Sequence, residues 1–162
     1  MRSRPPMLPI ALALAGTLLA GSALMPASAG LGDTVASVQA DRLSMKGQLR
    51  ARSEPGYSVQ EITAATGTVV REYISPSGVV FAVSWNGPTM PNLQQAFGAY
   101  FSAFEASVKA QRTGPGQRPS HNHLQVRTPM LVVHAGGHMR QYFGMAYVPA
   151  LMPQNLSVSD LH

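Results

Sequence analysis

Between Tyr57 and Asn86, apolar and polar residues alternate in three short runs: YSVQEITA, TVVREYIS and VVFAVSWN, separated by ATG and PSG. Alternation with period two puts successive side chains on opposite faces of a strand. In the third run, Val79, Phe81, Val83 and Trp85 then share one face, and Val80, Ala82, Ser84 and Asn86 the other. In the second, Val70, Glu72 and Ile74 alternate with Val69, Arg71 and Tyr73. Thr66-Gly67 offers a residue tolerant of positive φ, and Ser75-Pro76-Ser77-Gly78 fits a type I turn, with Pro second and Gly fourth. The pattern predicts an antiparallel meander with one covered, more apolar face.

The period changes after Pro91. Leu93, Phe97, Tyr100, Phe101, Phe104 and Val108 recur every three or four residues, which predicts one long amphipathic helix from Pro91 to Gln111 lying on the sheet. Residues 33–47 read as a short helix capped by Asp33 or Thr34 and stopped by Gly47. Its apolar stripe is Leu31, Val35, Val38, Met45 and Leu49, interrupted by Arg42. Leu49 to Glu54 is an edge strand or an extended lead-in. Residues 112–122 form a Gly- and Pro-rich polar loop, expected to be mobile. Further strands follow from Leu124 to His134 and from Met139 to Val148, with Ala135-Gly136-Gly137 as their hairpin connection. Residues 149–162 are a short polar tail expected to fray. The resulting class is α+β: a short N-terminal helix, an antiparallel meander sheet of about five strands, and one long amphipathic helix packed on one face.

The N-terminus changes how the composition is read. Arg2 and Arg4 precede an apolar run from Leu8 to Leu24, and Ala27-Ser28-Ala29 forms an A-x-A cleavage site behind Pro26. Residues 1–29 are therefore expected to be a signal peptide, with Gly30 the first mature residue and residues 30–148 a single domain. Export to the periplasm, or secretion, follows from that expectation, with no transmembrane segment after cleavage. The formal charge of +5 includes Arg2 and Arg4, so ten basic against seven acidic residues leave +3 in the mature chain. Those basic residues form no run interleaved with aromatics, so no nucleic-acid partner is expected. The absence of cysteine removes disulfides, thiolate metal sites and cysteine nucleophiles.

Candidate chemistry is sparse. Hydrolase and metalloprotease motifs such as G-x-S-x-G and H-E-x-x-H are missing, so no catalytic residue is assigned. Glu61 and Glu72 lie on paired strands, where they either approach each other or pair with arginines such as Arg71 or Arg140. His121 and His123 form an H-x-H pair, and His134 and His138 flank the expected hairpin turn. Imidazoles so placed suit zinc or copper if three or more converge. No cofactor is otherwise expected. Trp85-Asn86-Gly87-Pro88 ends the meander and leads into the helix, so Trp85, with Tyr73 and Tyr100, is the candidate aromatic rim of a pocket between sheet and helix.

The strings LGDTVASVQADR, GYSVQEI, GTVVREYISPSGVVFAVSWNGPTMPNLQQAFGAYF and HMRQYFGMAYVPALMP resemble an exported proteobacterial family, domain of unknown function 2844. The resemblance spans nearly all of the mature chain. It implies export and one small α+β domain, and it carries no activity. The expected function is a non-catalytic binding or interaction domain with a protein or small-molecule partner. The alternative is a histidine-based metal-binding protein.

Overall fold

The computed structural model describes residues 30–113 and 123–161. The expected signal peptide, most of the 112–122 loop and His121 lie outside them. The elements are α1 (Val38–Ser44), β1 (Gln48–Glu54), β2 (Tyr57–Thr63), β3 (Val69–Ile74), β4 (Val80–Gly87), α2 (Leu93–Phe97), α3 (Phe101–Thr113), β5 (His123–Arg127), β6 (Val132–His138) and β7 (Gln141–Tyr147). The class is α+β, with seven strands rather than five in a single antiparallel sheet of order β1-β2-β3-β4-β7-β6-β5. Two meanders, β1–β4 and β5–β7, are joined through α2 and α3 and meet where β4 pairs with β7.

Of the two extra strands, one is β1, which the sequence left between an edge strand and an extended lead-in, and the other comes from a turn that composition disguised. Leu124 to His134 is interrupted by a turn in which Thr128 N–H donates to the Leu131 carbonyl at 2.9 Å, making β5 and β6 separate strands. The β6–β7 hairpin then turns at Met139 and Arg140, with φ of 49° and 65°, and Ala135-Gly136-Gly137 lies inside β6. Gly137 is needed in the strand because a Cβ there would stand 2.4 Å from Tyr142 Cδ1.

The helical layer packs on one face. Ile62, Val70, Val83, Trp85, Val126, Val133 and Ala146 from the sheet meet Val38, Ala96, Phe97 and Phe104 from the helices. The other face is covered too, over its β2–β4 part. There Val59, Tyr73, Phe81 and Ala82 pack with Tyr147 against Leu151, Met152, Leu156 and Leu161 of the segment expected to fray. That segment is docked rather than frayed. Two 3-10 turns, a Ser157–Asp160 capping box and a 2.8 Å bond from the Tyr57 hydroxyl to the Asp160 carbonyl hold it. Its apolar anchors follow neither a helical nor a strand period.

A bulge explains why Phe81 is not on the face its alternation predicted. The β3–β4 register shifts at Tyr73/Ile74, so Val80 faces the helices with Val83 and Trp85, while Phe81 joins Tyr73 on the far side. One bulged residue is enough to move a side chain across the sheet.

The single long helix is broken into two. Asn92 caps α2, its Oδ1 accepting from Gln95 N–H at 3.2 Å. The helix then stops at Gly98, whose φ of 51° and ψ of −126° suit only glycine. The cause is tertiary. Residues 30–32 pass here, with Leu31 N–H donating to the Ala96 carbonyl at 3.1 Å. A Cβ on Gly30 would lie 2.6 Å from the Gly98 nitrogen. After one 3-10 turn, Gly98–Tyr100, α3 begins at Phe101.

Candidate functional site

The aromatic rim predicted from sequence does not assemble. Trp85 is 2% exposed on the helix-covered face, and Tyr73 is 1% exposed within the cluster on the opposite face. Trp85 packs with Phe97 at a ring separation of 6.1 Å. Tyr73 sits between Tyr57 and Phe81, its hydroxyl 3.2 Å from Ser84 Oγ. Tyr100 is half-buried in the helical layer, with its ring 3.1 Å from where a Cβ on Gly32 would lie. The three residues therefore line no common cavity.

The described histidines share one exposed sheet face without converging. His123 pairs with Gly136 and His134 with Gln125, so these two imidazoles are diagonal neighbours. His134 and His138 do not face each other across a hairpin. They lie four residues apart on one strand, about 13 Å at strand rise. Among the described residues no group of three or more His, Asp or Glu is placed to hold a metal ion.

Glu61 and Glu72 point to opposite faces, since Glu61 pairs with Arg71 and Glu72 with Gln60. Glu61 accepts from Arg71 Nε at 2.8 Å. Glu72 has a different partner, one that sequence reading missed. Its carboxyl is hydrogen-bonded to that of Asp41 on α1, and the two residues are 2% and 0% exposed. Gln95 Nε2 donates to Asp41 Oδ1, and Gln95 Oε1 accepts from Ser44 Oγ at 3.0 Å. Burial, then the Asp41 carboxyl and Asp33, push the Glu72 carboxyl up to about 9. Glu72 is thus a protonated acid donating to Asp41 at neutral pH, since two adjacent buried carboxyls cannot both ionise. The sequence held a signal: Asp41 lies three residues after Val38 and four before Met45, on the inward stripe of α1. Both carboxyls are shut away from solvent, so the pair reads as structural.

Open space lies elsewhere. A groove of about 710 Å³ runs along α2 and α3, lined by Leu93, Phe101, Phe104 and Val108, with Gln94, Glu105, Lys109 and Arg112 at its edges. Its lining comes from both sides of the break at Gly98, from the start of α2 and from α3. Phe104 is fixed between Phe97 and Phe101, at ring separations of 5.0 and 6.0 Å. The floor is therefore held by core packing. A smaller recess of about 270 Å³ is edged by Thr66, Thr68 and Thr89. Those hydroxyls bond one another at 2.8 Å, which ties the β2–β3 turn to the β4–α2 connection.

The chain matches the family described as Protein of unknown function (DUF2844) over residues 27–161. No curated protein and no solved structure matches it.

Proposed function

Since the chain belongs to the family of proteins of unknown function DUF2844, whose description carries no activity, we propose that it is an exported, non-catalytic binding module whose ligand occupies the groove along α2 and α3. The groove carries the reading. Its volume of about 710 Å³ falls within the 300–1,000 Å³ typical of small-ligand sites. Its floor is apolar and its edges hold a few polar groups, the usual division between affinity and orientation. Export rests on Arg2, Arg4, the apolar run and Ala27-Ser28-Ala29, with the periplasm as the main destination and secretion as the other. The buried Asp41–Glu72 pair is closed to solvent, which supports a non-catalytic role.

The test is binding of Nile red, a neutral apolar dye, to protein recovered from the periplasm of an expression host and starting at Gly30. Saturable binding is expected, weakened at least tenfold by Val108→Glu, which puts a charge on the groove floor. Thermal melts and circular dichroism check that the variant folds. Gln48→Lys, at an exposed position on β1 outside the groove lining, is expected to leave dye binding intact. No saturable binding, or binding indifferent to Val108→Glu in a folded variant, would overturn the reading. An unprocessed chain in the cytoplasm would overturn its export part.

A further inference from the structure

The groove is cationic at one end only. On either side of the break at Gly98 it is walled by Leu93, Phe101 and Phe104 with the uncharged Asn92 and Gln94, and toward the C-terminus of α3 it is edged by Lys109, Arg112 and Thr113. From Phe101 to Arg112 the helix rises about 16 Å at 1.5 Å per residue. The site is thus elongated, uncharged at one end and cationic at the other. Glu105, one turn before Lys109, places negative charge midway and disfavours an anion anywhere but the far end. The C-terminal carbonyls of α3 add about half a negative elementary charge there, less than the two positive charges of Lys109 and Arg112.

We propose, resting on the groove being the ligand site, that it takes a single-chain anionic amphiphile of the fatty-acid class. The alkyl chain lies against Leu93, Phe101, Phe104 and Val108, and the carboxylate stands by Lys109 and Arg112. Volume selects one chain rather than a two-chain phospholipid, because about 710 Å³ is the space of one small ligand. Both cations are exposed helix residues, so their contribution is partly screened and salt-sensitive.

The test is displacement of Nile red from the mature protein by laurate, dodecanol and dodecyltrimethylammonium, each below its micelle concentration. Laurate is expected to displace the dye at about tenfold lower concentration than the other two, a preference of about 1.4 kcal/mol. The double substitution Lys109→Glu and Arg112→Glu, at two exposed positions, is expected to abolish that preference, each displacement being referred to the variant's own dye affinity and circular dichroism checking that it folds. Raising the salt to 0.5 M is expected to narrow it. Equal displacement by all three compounds, or a laurate preference that survives the double substitution, would overturn the inference and leave the groove reading standing. Failure of the dye to bind the parent protein would end both. Sedimentation with anionic phospholipid vesicles, without binding of free laurate, would assign the cations to a membrane surface and overturn the fatty-acid class.

Discussion

Replacing Glu72 with glutamine is expected to flatten the dependence of folding stability on pH between pH 5 and pH 9. The folded-state value of about 9 lies above the ordinary 4.5, so the folded protein keeps a proton on Glu72 that the unfolded chain releases. Stability from this group is fully present below about pH 4.5 and is lost as pH rises toward 9. The limiting slope is about 1.4 kcal/mol per pH unit, which amounts to several kcal/mol across the window. Glutamine keeps a donor directed at Asp41 and cannot ionise, so the variant should gain on the parent as pH rises. Urea unfolding midpoints at pH 5, 7 and 9 check this. Parallel pH profiles for parent and variant would show that Glu72 does not hold the proton.

Substituting Gly144 by alanine is expected to destabilise the fold by about 3 kcal/mol, at the upper end of the cost of overpacking a core. A Cβ at this position would stand 2.2 Å from Trp85 Cζ2 and 2.6 Å from Trp85 Cε2. Trp85 cannot step aside, because Gly144 is its pairing partner and Phe97 packs against its indole on the helical side. For a domain of this size, a loss of 3 kcal/mol lowers the melting temperature by about 10 °C. Trp85→Leu in the same chain should remove most of the alanine's extra cost, giving a coupling energy of the order of 1 kcal/mol or more in a double-mutant cycle. Additive effects would mean that the indole does not lie over Gly144.

These sites show where reading the sequence succeeds and where it stops. Local alternation found β2, β3 and β4, and local turn chemistry found the connections at Gly67 and Gly78, whose φ values are 87° and 81°. Each of those features is decided by neighbours in the chain. The break at Gly98 is decided by residues 30–32, some seventy positions away, and inside an apolar stripe a lone glycine signals only a modest propensity cost. Gly136 and Gly137 look like a hairpin turn because glycine usually marks one, whereas the chain turns at Met139 and Arg140. The segment after Val148 has no periodicity to read, because its anchors fit an irregular aromatic surface around Tyr57, Tyr73 and Phe81. The groove is lined from both sides of the break at Gly98, which a reading of one continuous helix hides. Trp85 was rightly seen as distinctive, but its part is to fill the core over Gly144 rather than to edge a pocket.

The central functional claim is that ligand enters between α2 and α3 and not on the open histidine face. The direct measurement is an amide chemical-shift map of the mature protein, residues 30–162, titrated with laurate. The largest shifts are expected at Leu93, Phe101, Val108, Lys109 and Arg112. Shifts concentrated instead on His123, His134 and Phe143 would contradict it and move the site to the exposed face of β5, β6 and β7.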